Sequence, residues 1–445
     1  MIVIYPSALN GEISAIASKS DAHRSLICAA LSDAPTKIEL TADSEDIRAT
    51  ISCIQALGAE VKKTKNVQGN PEYEVIPAVA EPARRPVLDC NESGTTLRLL
   101  LPVAAAMFDE AAFAGSGRLP ERPLSPLLEE MEKHGCRFSA RQIPLSVKGR
   151  LKGGVFTLPG NVSSQYVSGL MLALPLTEEG GSIKLVTELE SSGYVDMTIE
   201  TLRKFGVAVD VLPSGFTVSG GQLYRTPGTH KIEGDFSNAA FWLTAGALSG
   251  TISCSSLNRK TKQPDSGIVA VLRRMGADID WSSEDSIRVH RSTLHATEID
   301  ASEIPDLVPV LAIAASVAKG TTVIRNAGRL RLKESDRLSA VADNLRRIGG
   351  DVKEYEDGLE ITGVEQLEGG EIEGYNDHRI VMAFAVASTV SRGPILIHGE
   401  ESVNKSYPDF FSDFKKLGGT VIYRDPRRGS QHNNIRREQN GTKRH

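Results

Sequence analysis

No apolar run in this chain is long enough to cross a bilayer. The longest, such as Leu307 to Ala318, fall well short of the roughly 20 residues that a spanning helix needs. The opening residues, Met1-Ile2-Val3-Ile4-Tyr5-Pro6, carry neither a basic start nor a long apolar stretch, so no signal peptide is expected. Cysteine is scarce: there are five in 445 residues, odd in number, far apart and without a CxxC pair. That excludes a disulfide scaffold and points to reduced thiols in a cytoplasmic protein. A surplus of basic charge is also missing. The net charge of −5 argues against a nucleic-acid binder held by a broad basic face. A hydrophobic share of 40% and a charged share of 24% are those of a globular protein. The length exceeds one ordinary core, so two or three domains are expected.

What the chain does have is a sixfold repeat. A helix-like run ending in glycine, followed at once by a strand-like stretch, recurs at Gly58, Gly135, Gly206, Gly276, Gly349 and Gly418. The intervals are 77, 71, 70, 73 and 69 residues. Glycine suits a helix C-cap that turns left-handed before a strand. A second register accompanies it. Ser93, Ser164, Asp235, Asp306 and Asp377 lie 71 residues apart, and Ser20 precedes Ser93 by 73. Each is an N-cap type followed by a helix-length, mostly apolar run. Those runs are apolar nearly all the way round, so the helices should be buried. The other helix of each unit is amphipathic. Each unit reads as strand, buried helix, strand, surface helix, strand, strand: an α/β protein of two domains, three βαβαββ units in each.

Parallel buried helices aim their free N–H groups and positive dipole ends at one surface, which should bind anions. Lys19, Ser20 and Arg24 stand at the first start, although the macrodipole disfavours cations there. Gly94 stands at the second, and Ser163, Ser164 and Gln165 at the third. Asp306 stands at the fifth and Arg379 at the sixth. The loops before the surface helices bring Arg122, Ser191 and Tyr194, the run Lys333-Glu334-Ser335-Asp336-Arg337, and Lys405. As a helix start, Asp306 reads most simply as an N-cap. The convergence of cations predicts a site for small polyanionic substrates.

Several motifs follow one another at these places: Ser18-Lys19-Ser20-x-x-x-Arg24, Ser93-Gly94-Thr95-x-x-Arg98, Glu121-Arg122-Pro123, Ser163-Ser164-Gln165, Ile304-Pro305-Asp306, Arg331-x-Lys333-Glu334-Ser335-Asp336-Arg337, Asn376-Asp377-His378-Arg379 and Lys405-x-x-Pro408-Asp409. In them, from about residue 3 to residue 423, the chain resembles the enolpyruvyl transferase family, and within it the 3-phosphoshikimate 1-carboxyvinyltransferases. The resemblance implies an inside-out α/β barrel in each of two pseudo-threefold domains. One would span 16–232, the other 1–15 with 233–423. It implies transfer of the enolpyruvyl group of phosphoenolpyruvate to the 5-hydroxyl of shikimate 3-phosphate. The route is addition then elimination through a tetrahedral ketal, without metal or organic cofactor.

The resemblance also assigns residues. Lys19, Gly94, Arg122, Gln165, Arg337, Arg379 and Lys405 would hold phosphoenolpyruvate. Lys19, Ser20, Arg24, Ser163, Ser164, Gln165, Ser191, Tyr194, Asp306 and Lys333 would hold shikimate 3-phosphate. Asp306 would take the hydroxyl proton, and Glu334 would protonate the methylene with Lys19 or Lys405 assisting. The chain departs from the family pattern at Glu92 and Arg329, each often Asn, and at Gly193, often Pro. The enolpyruvyl transferase that uses UDP-N-acetylglucosamine typically has a cysteine before its Arg-Pro. Here Gly115 to Pro123 has none. A repeat-built scaffold would not gather titratable groups at its helix starts. A monomer without nucleic-acid or membrane partners is expected. The basic tail 424–445 is expected to be disordered.

Overall fold

The computed structural model describes residues 1–41, 43–66, 69, 71–78 and 85–424. Residues 425–445, on which the expectation of a disordered tail falls, lie outside them. The strands form six four-stranded sheets. Each holds one parallel pair, with its remaining neighbours antiparallel. In the second unit, Val87–Asp89 runs parallel to Glu110–Ala114, which pairs with Leu145–Lys148, and that with Arg137–Phe138. The third and fifth units repeat this βαβαββ order.

The other three units depart from the expected order because each takes a strand from elsewhere in the chain. Thr229–Lys231 opens the first sheet beside Thr36–Glu39. Gly11–Ser14 opens the fourth beside Thr251–Ser255. Ile2–Tyr5 fills the sixth, between Ile395–His398 and Thr420–Tyr423.

Six buried helices lie behind the sheets: Lys19–Leu31, Gly94–Met107, Ser164–Ala173, Phe236–Ser249, Val308–Ser316 and His378–Ala387. They fall into two cores. One draws on Ala17 to Ile232, the other on Ile2 to Ala15 with Phe236 to Val421, and Ile16 packs against both. The chain crosses between them twice, side by side. Ser18 N donates to Glu233 O at 2.8 Å, and Asp235 N to Ile16 O at 2.8 Å. All six marker glycines have positive φ, from 78° to 114°, where a Cβ would be strained.

The caps differ in part from the sequence reading. Ser93, Asp235 and Asp377 accept from backbone N–H groups as expected. At the first helix the cap is Ser18, which accepts from Asp21 N at 3.4 Å. Ser20 is already helical. At the third helix the cap is Ser163, and Ser164 is the first helical residue. Asp306 is no cap at all. It lies in the short 3-10 turn Pro305–Leu307, and its carboxylate is taken by cations.

Helices Gly94–Met107 and Ser164–Ala173 pack so closely that a Cβ on Gly169 would strike the Arg98 carbonyl oxygen. Pro102 sits one turn later with no N–H to offer that carbonyl. The contact therefore fixes the helix start that bears Arg98. We expect Gly169→Ala to destabilise the protein by about 1–3 kcal/mol through overpacking. A denaturation midpoint equal to that of the unsubstituted protein would remove this contact from the account.

Candidate active site

The N-terminal ends of five of the six buried helices meet at a cleft between the two cores. Lys19, Ser20, Gly94, Thr95, Ser163, Ser164, Gln165, Asp306, His378 and Arg379 line it from those ends. Loops before the surface helices add Arg122, Ser191, Arg329, Lys333 and Glu334, and the first turns of those helices add Tyr194 and Arg337. Arg24 and Arg98, one turn into their helices, complete the basic lining. Eight Lys or Arg side chains thus face three acidic ones, Asp46, Asp306 and Glu334. In a chain of net charge −5 this is a concentrated positive field, as anionic ligands require.

Two of these cations have no carboxylate partner among the described residues. Arg24 is 1% exposed. Its guanidinium donates to Thr198 Oγ1 at 2.7 Å, Ser20 O at 2.6 Å and Tyr194 O at 3.0 Å. Burial pushes its pKa down to about 10. Arg98 donates to Gln165 Oε1 at 3.1 Å and Pro123 O at 3.3 Å. Burial, with the neighbouring Arg122 charge, pushes it down to about 10 as well. Buried cations held only by neutral acceptors gain strongly from an incoming anion. Lys19 is better satisfied, with its Nζ 2.8 Å from Asp46 Oδ2.

Arg337 has the opposite situation. Its Nε donates to Asp377 Oδ2 at 2.8 Å, Nη1 to Asp306 Oδ1 at 2.8 Å and Nη2 to Glu334 Oε2 at 2.6 Å. Asp306 is further held by Arg379 Nη2 at 3.0 Å and Lys333 Nζ at 3.4 Å. Glu334 also has Arg122 Nη1 at 3.7 Å. Burial alone would raise both carboxyls. The surrounding cations outweigh it, chiefly Arg379 for Asp306 and Arg337 for Glu334, and hold both well below the usual carboxylate range. His378 is driven the other way, well below an ordinary imidazole, by burial and then by Lys19 and Arg379. It adds no charge.

Local structure explains several residue types. A Cβ on Gly94 would lie 2.6 Å from Arg122 Nη1, so glycine makes room for that guanidinium. Ser191 adopts φ 55°, which turns the chain into the helix Ser192–Lys204. Its hydroxyl donates to Ser302 O at 3.3 Å and accepts from Arg329 Nη2 at 3.1 Å. Here the two cores touch. Ser192 N and Oγ both donate to Glu303 Oε2 at 2.8 Å, and Arg329 Nε lies 2.7 Å from Glu190 Oε2.

The residues expected to hold the two substrates all line the cleft except Lys405. That side chain is buried beside it, its Nζ donating to Glu92 Oε2 and Asn376 O at 2.7 Å each. Sequence reasoning left out Arg98, Asp46 and Thr95 of the lining, and Asp265 behind it, which accepts from the Tyr194 hydroxyl at 3.5 Å. Arg98 stood in the quoted motif four residues after Gly94, the helical spacing that faces one site. Asp46 and Asp265 carried no such signal. Asp265 is buried under Tyr194, and burial followed by the Asp306 charge pushes it up to about 7.

The family model for EPSP synthase (3-phosphoshikimate 1-carboxyvinyltransferase) matches residues 3–414. The 3-phosphoshikimate 1-carboxyvinyltransferase of Clostridium acetobutylicum is 44% identical over 425 residues, covering 94% of this chain and 98% of that protein. The one from Clostridium novyi is 43% identical over 426 residues, with 94% and 98% covered. Among solved structures, EPSP synthase from Acinetobacter baumannii superposes with a TM-score of 0.78 at 28% identity, covering 95% of this chain and 99% of that one. The enolpyruvyl transferase NikO from Streptomyces tendae shares the fold, with a TM-score of 0.76 at 18% identity over 95% and 98% of the two chains. With a cationic cleft at its helix starts and these likenesses along nearly its whole length, the chain belongs to the EPSP synthase (3-phosphoshikimate 1-carboxyvinyltransferase) family.

Proposed function

We propose that this cleft joins phosphoenolpyruvate to the 5-hydroxyl of shikimate 3-phosphate, with Asp306 as base, Glu334 as acid and Lys19 between the two substrates. The family assignment supplies the reaction. The division of roles is carried over from the resemblance, and the observation that supports the pairing is the Arg337 bridge, which holds both carboxylates at one place in the cleft. Each substrate brings a phosphate and a carboxylate, and the eight cations of the lining are suited to both. Arg24, Ser163, Ser164, Gln165, Ser191, Tyr194 and Lys333 would hold shikimate 3-phosphate, with Ser20 beside them. Arg122, Arg337 and Arg379, with Gly94 and Lys405, would hold phosphoenolpyruvate.

Held by these cations, neither carboxylate is ready for its task. Asp306 is ionised, as a base must be, yet three cations make it a weak one. Glu334 is ionised, whereas an acid must hold a proton. The substrate anions resolve this by taking over Arg122, Arg337 and Arg379. With those cations engaged elsewhere, burial and the substrates' own negative charge push both carboxyls up, and Glu334 takes up a proton from solvent before the addition step. Asp306 then removes the 5-hydroxyl proton as that oxygen bonds to C2 of phosphoenolpyruvate, and Glu334 delivers a proton to C3. The resulting ketal loses phosphate from C2 and a proton from C3, regenerating the alkene. The cations stabilise the charge that develops on the way.

The two separate cores support a two-domain reading, 16–232 against 1–15 with 233–423. Five free buried thiols fit the reducing cytoplasm.

With phosphoenolpyruvate present, phosphate release is expected with shikimate 3-phosphate as acceptor and not with UDP-N-acetylglucosamine. The reverse preference would refute the substrate assignment. Asp306→Asn and Glu334→Gln should keep the native circular dichroism spectrum and lose turnover by about a hundredfold or more. Near-normal rates in either would strip that residue of its role. Lys19→Met should weaken binding of both substrates, and unchanged affinities would separate Lys19 from the shared position.

A further inference from the structure

The turn that carries Glu92 is built to send its side chain across the cleft. Strand Val87–Asp89 ends on Asp89, whose Oδ1 accepts from Asn91 N at 2.9 Å. Asn91 then takes a left-handed φ of 48°. Its carbonyl accepts from Ser116 N at 2.8 Å and its side-chain oxygen from Ser116 Oγ at 2.9 Å. Next to Ser116, Gly117 has φ 58°, and a Cβ there would collide with the Glu92 carboxylate. Glycine leaves the space that this carboxylate fills.

The receiving side is equally specific. Tyr375 and Asn376 both have φ 52°, a conformation that non-glycine residues keep only where their surroundings enforce it. Tyr375 is anchored by its hydroxyl on Asp343 Oδ2 at 2.7 Å. Asn376 Nδ2 donates to Glu92 Oε2 at 3.0 Å and to Oε1 at 3.2 Å, and its carbonyl accepts from Lys405 Nζ. Lys405 thus has two of its three N–H donors fixed, one by its own half of the molecule and one by Glu92 from the other. An ammonium has a third to offer. An exposed ion pair of this kind would do little, but the Lys405 side chain is only 6% exposed.

We propose that Glu92 is a positioning residue, holding the Lys405 ammonium from the opposite half of the molecule so that its remaining N–H is aimed at phosphoenolpyruvate. The inference rests on the reading above that Lys405 meets phosphoenolpyruvate. It assigns Glu92 no contact with either substrate.

Steady-state kinetics of Glu92→Ala, Glu92→Gln, Lys405→Ala and the double variant Glu92→Ala/Lys405→Ala test this. Glu92→Ala should raise KM for phosphoenolpyruvate about tenfold while leaving shikimate 3-phosphate affinity within about twofold. Glu92→Gln keeps an acceptor oxygen and should recover most of the loss. On the Lys405→Ala background, removing Glu92 should have no further effect, because the two act as a unit. A merely structural role would make the two losses add, and that result would overturn the proposal. So would a KM within twofold of normal for Glu92→Ala while Lys405→Ala is impaired. If Lys405→Ala itself leaves KM for phosphoenolpyruvate unchanged, the underlying reading of Lys405 fails, and the proposal with it. Should Glu92→Ala not fold, Glu92→Gln is compared alone and combined with Lys405→Ala, with the same non-additivity expected.

Discussion

One guanidinium organises the reacting end of the cleft. Arg337 is 1% exposed, and it joins the carboxylates of Asp306, Glu334 and Asp377. Burying such an assembly is costly, and the cost is offset only if nearly every donor and acceptor finds a partner. Here they do. Asp377 also caps the sixth buried helix through Arg379 N at 3.0 Å, and Arg379 returns to Asp306. A helix start, a surface-helix start and a 3-10 turn are therefore locked in one geometry. The same lock keeps both reacting carboxylates ionised until something negative competes for the arginines.

The fold supplies the rest of the field. Six repeats, three of them completed by a strand from elsewhere in the chain, set six buried helices behind six sheets, and five of their N-terminal ends reach the cleft. Where the cations already have carboxylates, as at Lys19 and Arg337, the site is neutralised in advance. Where they do not, as at Arg24 and Arg98, the burden falls on threonine, glutamine and backbone oxygens. Substrate anions should thus enter at unequal cost, easily at Arg24 and Arg98 and by exchange at Arg337.

The repeat was legible because each unit must stop a helix with glycine and start one with a short polar residue. Both requirements are local, and they show in the spacing. What failed was non-local or finely local. Ser18 and Ser20 are equally good caps by type, and only backbone geometry separates them. Asp306 looked like a cap because its partners, Lys333, Arg337 and Arg379, lie 27 to 73 residues away. The three strands that complete sheets far along the chain left no mark in the spacing, and only the resemblance joined 1–15, which holds two of them, to 233–423. Ile2–Tyr5 pairs with strands about four hundred residues later, and no periodicity encodes that. Glu92 was visible only as a departure from a pattern, and its partner Lys405 gave no hint of the link.

The central claim is that substrate anions displace the reacting carboxylates from their arginines and so return them to useful proton affinity. Carbon-13 NMR of side-chain-labelled glutamate, with the Glu334 signal identified by its absence in Glu334→Gln, follows this directly. In the free protein the Glu334 carboxyl should stay ionised well below the usual carboxylate range. With shikimate 3-phosphate and inorganic phosphate bound, its titration should move upward. A Glu334 titration that is the same with and without these ligands would contradict the exchange.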